Sequence, residues 1–281
     1  MGQSYLTIHM NKQRKAIGFP PTLLGEAAIR LPVLEETADW IALNKSTGIA
    51  VRAHPWDLVS DLDRALNRQL KAGKPELLAT QAELFASIYY FEPEASGVAL
   101  FAKNRTSLSD LRNAYGSNLM RFRFLFIAAS KGEATEEDLF SDAPLLEHRT
   151  KNKMIPSTAK GKKAQTYFKR LSSSFAGWDL WEATTSYCRL HQIRTHASLL
   201  GIPVMGDVSY GGSASPSLGE LMPKKRGPGL SAPAFSGLAL HLQEVTLPNA
   251  GDKDAVAVLA DAPKDFRVLM ERMGLRGELE Q

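Results

Sequence analysis

The spacing of apolar residues along the chain predicts helices in three places. An amphipathic pattern covers 57–71, where leucine and alanine recur at helical intervals. Residues 189–201 predict a second helix, which ends at Gly201 just ahead of Pro203. A final helix is expected to begin at 263–266, where a proline precedes charged and apolar residues. Helices therefore occupy separate parts of the chain.

Apolar runs rich in β-branched and aromatic residues predict strands between these helices. They cover 38–51 and 83–104, each broken by a turn, and 122–130, 164–171, 179–185 and 238–248. A short helix capped by Ser107 or Ser109 is expected to run through Tyr115. Strands and helices mix without strict alternation, which favours an α+β fold. Residues 1–30 show no clear period and predict an N-terminal arm, followed by one domain over 31–281.

Composition excludes several classes of protein. The chain has 281 residues, of which 44% are hydrophobic and 23% charged, as expected for a folded protein. No apolar run reaches the roughly 18 residues of a membrane span, and the first residues lack a secretory signal pattern. The single cysteine, Cys188, excludes an intrachain disulfide and a Cys-rich zinc site. A cytoplasmic protein is expected.

Charge is distributed unevenly, although the net charge is only +4. Residues 132–148 contain six acids and no Lys or Arg, whereas 149–178 contain eight Lys or Arg and no acid. A solvated loop is the ordinary explanation for one charge run, but two basic segments, the longer of them without acids, favour a phosphate backbone as partner. The candidate RNA-binding residues are Lys151, Lys153, Lys160, Lys162, Lys163, Lys224, Lys225 and Arg226.

Common catalytic motifs are missing. The sequence contains no phosphate-binding Walker loop, no GxGxxG segment and no GxSxG serine elbow. His191 and His196 are five residues apart, not the four that place two metal ligands on one helical face. The sequence therefore predicts neither a metal site nor a cofactor.

Seven segments in order resemble the RluA-type pseudouridine synthases, from about Val33 to Phe266. The most specific is RLHQIRTHASLLGIPVMGDVSYG at 189–211, which resembles that family's RxHQIRxHLxxLGxPIxGDxxYG. The others are NKSTGIAV (44–51), EASGVALFAKN (94–104), FIAASKG (126–132), GKKAQTYFKRL (161–171), LALHL (238–242) and APKDF (262–266). Their order along more than 200 residues is what makes the resemblance specific.

The resemblance implies a bent mixed sheet flanked by helices and loops, with a central cleft. It also implies isomerisation of uridine to pseudouridine in ribosomal or transfer RNA, with no cofactor. In the family, an aspartate of an HRLD segment is essential, a tyrosine stacks on the base and an arginine pairs with the aspartate. Here HRLD aligns with Tyr89–Glu92, so Glu92 takes the aspartate's place and Tyr90 the place of a base-flipping arginine.

The remaining site residues follow from the same alignment. Phe126 takes the place of the stacking tyrosine and Arg194 is the arginine of HQIR, so both join Glu92 as catalytic candidates. Tyr90, Ser96 and His191 are the substrate-binding candidates. We expect Arg194 within ion-pair distance of Glu92, across the base of a cleft that exposes Phe126.

Three hypotheses remain open at this point. The chain is an active synthase that uses Glu92, or a catalytically degenerate relative that binds RNA as a chaperone or assembly factor. Alternatively, the cleft serves a small nucleoside or a protein partner. The basic segments favour the two RNA hypotheses over the third.

Overall fold

The fold is known from a computed structural model, which describes residues 15–56, 60–130, 137–174, 176–248 and 255–275. Within these ranges it contains thirteen strands and six helices. The strands are β1 Ala16–Phe19, β2 Ile29–Glu36, β3 Trp40–Lys45, β4 Ala86–Ser87, β5 Ser96–Ala102, β6 Arg121–Ala129, β7 Asp138–Ser141, β8 Leu145–Glu147, β9 Met154–Pro156, β10 Thr166–Ser173, β11 Trp178–Thr185, β12 Leu240–Leu247 and β13 Val256–Leu259. The helices are α1 Leu62–Lys71, α2 Pro75–Leu78, α3 Arg105–Gly116, α4 Gln192–Leu199, α5 Leu218–Leu221 and α6 Lys264–Met273.

Eleven of these strands form one mixed sheet. Its main path runs β1-β2-β3-β5-β12-β6-β11-β10-β7, with β4 beside β5 and β13 beside β12. The β5–β12 pair is parallel, through His241↔Ser96 and Leu242↔Gly97. Strands β8 and β9 form a separate hairpin. A mixed sheet flanked by helices confirms the predicted α+β class.

The sheet is buried on both faces near its centre. On one face, aromatic residues of β6, β10 and β11 form part of the larger core cluster. On the other, α6 packs Phe266 and Leu269 against Ile127 and Leu180. This explains the long apolar run of β6, because a strand covered on both faces has apolar side chains on both.

Helix α1 begins where its cap places it. The side chain of Asp61 accepts a hydrogen bond from the backbone N–H of Arg64 at 2.9 Å, which satisfies a free donor of the first turn. Leu62 and Leu66 of the predicted apolar face are buried. The helix expected over 57–71 thus begins at Leu62, and residues 57–59 of that prediction lie outside the described part.

Helix α4 is buried nearly all round, including its polar residues. The amide of Gln192 donates to the hydroxyls of Thr166 and Thr185, each at 3.0 Å. His196 bonds the Thr166 hydroxyl and the carbonyl of Ala143, each at 2.9 Å. These side chains tie α4 to the sheet, and this anchoring fixes Arg194 between them.

Three expectations from the sequence are wrong. The arm predicted for residues 1–30 is corrected over its second half, because β1 pairs with β2 at the sheet edge; residues 1–14 lie outside the described part. Helix α3 is capped by Asn104, not by Ser107 or Ser109. The first strand predicted within 83–104 is reduced to β4, and residues 88–95 follow an irregular buried path.

Candidate active site

Glu92 lies in a turn that is held from beneath by a buried lysine. The Nζ atom of Lys45 donates to the carbonyls of Pro93 at 3.1 Å and Ala95 at 2.5 Å. The backbone N–H of Gly48 donates to the Pro93 carbonyl as well, at 2.7 Å. Lys45 is fully buried, so these bonds form in a poorly solvated setting where they are strong. The lysine therefore fixes the backbone that presents Glu92.

Arg194 reaches Glu92 from α4, but its stronger partner is Asp207. Its Nε and Nη2 atoms donate to the two carboxylate oxygens of Asp207 at 2.7 and 2.8 Å. Its Nη1 atom lies 3.9 Å from Oε1 of Glu92. All three side chains are buried. The paired geometry with Asp207 orients the guanidinium, and its remaining N–H groups are left for Glu92.

Burial and charge compete over the protonation of Glu92. Burial raises the pKa of Glu92 to about 7, although the nearby Arg194 guanidinium lowers it in part. Burial alone would lower the pKa of Arg194, but its hydrogen bonds to the Asp207 carboxylate and the charge of Glu92 outweigh burial and raise that pKa. Arg194 is therefore always charged, while Glu92 changes charge near neutral pH. A carboxyl group poised near 7 is suited to acid–base or nucleophilic work.

Tyr210 and His191 complete the inner site. The Tyr210 hydroxyl accepts from the backbone N–H of Met154 at 2.6 Å and lies 3.0 Å from Nδ1 of His191. The guanidinium carbon of Arg194 lies 5.1 Å from the centroid of the Tyr210 ring. Burial lowers the pKa of His191 to about 2. His191 is thus neutral, and its Nδ1 atom is hydrogen-bonded to the Tyr210 hydroxyl.

Comparison with known proteins gives relatives of one kind. No family model matches the chain. A ribosomal large subunit pseudouridine synthase C of Rickettsia bellii is 28% identical over 179 residues, which is 64% of this chain and 56% of the relative. The Bacillus subtilis protein named uncharacterized RNA pseudouridine synthase YlyB is 25% identical over 248 residues, 88% of this chain and 74% of the relative. The chain thus spans little more than half the length of the Rickettsia relative.

Solved structures show the same fold. The human RNA pseudouridylate synthase domain containing 4 superposes with a TM-score of 0.64 at 17% identity, over 86% of this chain and 92% of that chain. The human RNA pseudouridylate synthase domain containing 1 gives 0.56 at 18% identity, over 83% and 84% of the two chains. The chain is thus similar in sequence to bacterial proteins named pseudouridine synthases, and it shares the fold of these solved structures.

The resemblance placed Arg194 correctly opposite Glu92, and the structure confirms that the two lie within ion-pair distance. Asp207 was missed as the main partner of Arg194, although it stands in the GDVSYG part of the strongest motif. Lys45 was also missed, although it belongs to the NKSTG motif. Both residues form buried contacts with other parts of the protein. The motifs therefore included Lys45 and Asp207 but did not show which residues they bind.

The expectation that Phe126 is exposed in the cleft is wrong. Its side chain is fully buried, with its ring stacked near Trp181 at 6.5 Å and edge-on to Phe168 at 5.9 Å. The strand β6 lies between β11 and β12, where both faces are covered. In this arrangement Phe126 is a core residue and offers no surface to a base.

Ser96 also lies away from the cleft. It is buried at the start of β5, and its hydroxyl lies 2.9 Å from Nδ1 of His241. The role as a substrate contact is therefore corrected to a structural one, which links β5 to β12. Tyr90 remains beside the site, but it is buried, with its ring 5.4 Å from that of His54.

The basic segment forms one side of the site. The β8–β9 hairpin contributes Leu145 and Met154 to a small cluster against which Trp56 packs. Between these strands, Lys153 places its Nζ atom 5.7 Å from the centroid of the Tyr210 ring. Other predicted RNA-binding residues are exposed, namely Lys151, Lys160, Lys162, Lys163, Lys224, Lys225 and Arg226. The last three follow α5 in a separate loop.

Two searches of the described residues were negative. No group of three or more His, Cys, Asp or Glu side chains is arranged there to hold a metal ion. None of the helices described is long and apolar enough to cross a bilayer.

Proposed function

We propose that this protein isomerises uridine to pseudouridine in RNA and that Glu92 is the essential carboxylate. One observation carries the proposal: buried Glu92 faces Arg194 at 3.9 Å, and Asp207 fixes the guanidinium. The names of the Rickettsia and Bacillus relatives support an RNA pseudouridine synthase. They favour large-subunit ribosomal RNA as the first substrate to test, ahead of transfer RNA.

The reaction needs no external reagent. The bond between N1 and C1′ breaks and a bond between C5 and C1′ forms, while C5 loses a proton and N1 gains one. Atoms and electrons balance within the nucleotide, so no oxidant or reductant is required. Because N1 and C1′ are inaccessible inside a base stack, the uridine must leave its stack to reach Glu92.

The ionised form of Glu92 is the working form. Attack on the sugar or base, or removal of the 2′ proton, each requires a carboxylate. The positive charge of Arg194 favours the ionised form of Glu92. When Glu92 has attacked the nucleotide or taken up its 2′ proton, the same charge can stabilise negative charge that develops on the uracil. His191 is neutral, so it positions Tyr210 and does not supply a proton as an imidazolium.

The basic segment at 149–170 supplies the contact with the RNA backbone. Lys153 lies beside Tyr210, where its charge is available to a phosphate next to the flipped uridine. Lys160, Lys162 and Lys163 are exposed further along the same segment. Phosphate contacts of this kind supply affinity without sequence preference. RNA as the substrate also agrees with the cytoplasmic location that the sequence predicts.

The proposal is tested by measuring pseudouridine in a pool of unmodified ribosomal and transfer RNA after incubation with the protein. Wild type is expected to form product, and Glu92→Ala to form none while it binds RNA as well as wild type. Glu94→Ala is the matched control, because Glu94 is an exposed glutamate two residues away. It is expected to behave as wild type.

Each outcome has a distinct meaning. Equal product from wild type and Glu92→Ala removes Glu92 from the proposed role. No product from wild type, with RNA binding retained, favours the catalytically degenerate RNA-binding protein. The Tyr90→Arg, Glu92→Asp double variant then tests whether wild type is inactive because it lacks the arginine and aspartate of the HRLD motif.

A further inference from the structure

Five rings form a continuous group between the surface and Glu92, and the proposed chemistry uses only two of them. The centroids of Trp56 and His191 are 5.5 Å apart, and those of His191 and Tyr210 are 5.6 Å apart. His54 lies 5.2 Å from Trp56 and 5.4 Å from Tyr90. The rings of His54 and Trp56 have no part in holding Glu92 or Arg194. The position of these two rings therefore needs a separate explanation.

Trp56 differs from the other tryptophans of the chain. Trp40, Trp178 and Trp181 are buried in the two main cores, whereas Trp56 is only partly buried. It rests on the small apolar cluster of the β8–β9 hairpin. Support for that cluster explains one side of the indole. It does not explain why the remainder of the indole stays accessible to solvent, because an apolar side chain is stabilised by burial.

The ring contacts of Trp56 leave it without a stacked partner among the described residues. Its plane meets that of His54 at 83° and that of His191 at 53°. Aromatic bases stack on indole faces in a parallel arrangement that is tolerant of sequence. The exposed part of the indole is therefore suited to receive one flat ring.

A flipped uracil needs such a surface, and the expected one is absent. Phe126 is enclosed in the core. The Tyr210 ring already contacts Arg194, Lys153 and His191. Trp56 contacts His191, and His191 contacts Tyr210. The Arg194 guanidinium lies over the Tyr210 ring and faces Glu92. A base on Trp56 would thus lie at the mouth of the same site.

We propose that Trp56, braced edge-on by His54, is the surface on which the flipped uracil of the RNA substrate stacks. The inference rests on the proposed function, because it names the substrate contact of that same site. His54 acts as a positioning residue, since its ring fixes the angle of the indole.

The first test measures product formation at increasing RNA concentration. Trp56→Ala is expected to lose roughly 10-fold in kcat/KM, because one base–aromatic stack is removed, whereas Trp56→Phe retains a stacking ring and most of the activity. Leu78→Ala is the matched control, since Leu78 is a partly exposed apolar residue of α2. It is expected to match wild type. Thermal unfolding of each variant checks that the fold is intact.

The second test is independent of catalysis. Tryptophan emission of wild type is expected to be quenched by the RNA pool and by uridine 5′-monophosphate, and the quenching is expected to disappear in Trp56→Phe. Rescue of activity by Phe but not by Leu at position 56 would distinguish stacking from simple apolar packing.

The outcomes separate this inference from the proposed function. If Trp56→Ala keeps wild-type kcat/KM while Glu92→Ala is inactive, the stacking role is overturned and the enzyme stands. If wild type makes no product, the proposed function fails, and quenching lost in Trp56→Phe still supports a base on Trp56. Absence of quenching by RNA that binds overturns the inference in either case.

Discussion

The two sides of the candidate site are built in different ways. On the arginine side, α4 and the turn at 207–210 keep the sequence pattern of the family, and Arg194 is oriented by two hydrogen bonds to Asp207. On the glutamate side, residues 89–92 depart from the pattern, and Lys45 holds the backbone rather than the side chain. The difference shows that a buried cation needs a fixed partner, whereas a carboxyl group can also become neutral.

This contrast accounts for where the sequence departs from its relatives. In the motif resemblance Tyr90 takes the place of an arginine, and in the structure its ring is buried against His54. A charged residue at that position would need a partner of its own in the same low-dielectric interior. The glutamate side therefore has fewer charged groups than the arginine side. For this reason burial has a larger effect on the pKa of Glu92 than the charge of Arg194 has.

The largest expected effect comes from breaking the arginine side. Asp207→Asn removes the charge that pairs with buried Arg194, so we expect a loss of about 3 kcal/mol in the free energy of unfolding. Urea denaturation at pH 7 measures it. Asp110→Asn, on α3, is the control and should change stability by less than about 0.5 kcal/mol. A loss below about 1 kcal/mol at Asp207 would show that the guanidinium is solvated.

The glutamate side is tested by shortening its side chain. Glu92→Asp withdraws the carboxylate by about 1 Å, and a displacement of that size costs roughly 10²-fold in rate. The rate of pseudouridine formation at saturating RNA measures it, and Glu94→Asp is the control. An equal or higher rate for Glu92→Asp would contradict a pocket fitted to the longer side chain.

Coupling between the two sides appears in the pH dependence. Because Glu92 must be ionised and its pKa is about 7, the rate is expected to rise roughly tenfold per pH unit below 7 and to level off above it. Arg194 lowers that pKa, so Arg194→Gln should move the midpoint to higher pH. Rates measured from pH 5 to pH 9 test both statements. A flat profile would mean that another group limits the reaction.

The same raised pKa affects stability, with a defined sign. Folded Glu92 binds its proton more tightly than the unfolded chain, whose ordinary value is 4.5, so its contribution to stability is lost as pH rises through 4.5 to 7. Glu92→Gln stays neutral throughout. Its melting temperature relative to wild type is therefore expected to increase between pH 5 and pH 8. A constant difference would contradict the pKa shift.

The smallest effect is expected outside both sides of the site, in the basic segment. Replacing Lys160, Lys162 and Lys163 together by Gln should lower the salt slope of RNA binding by about two to three counterions, without changing kcat. Filter binding between 50 and 200 mM salt measures it. The control changes exposed basic residues elsewhere, Lys71, Arg112 and Lys264. An unchanged slope would make the segment a solvated loop.

Sequence patterns alone determined the ordered motifs, the α+β class, helices α4 and α6, and the pairing of Arg194 with Glu92. The helices depend on residues close in sequence, whereas the pairing of Arg194 with Glu92 followed from the ordered motifs that resemble the family. The exposed basic segment was likewise readable, since clustered charge excludes a segment from the core.

Only the tertiary structure showed which faces of the apolar strands are covered by other elements and which remain accessible. The run at 122–130 is apolar on both faces, so its pattern could not show that Phe126 lies in the core while Trp56 stays only partly buried. That depends on β6 pairing with β11 and β12, whose residues are more than 40 positions away. The carbonyl partners of Lys45 were hidden for the same reason, because they lie 48 and 50 residues further along the chain. The bond from Arg194 to Asp207 spans only 13 residues, but it depends on how the chain turns back after α4.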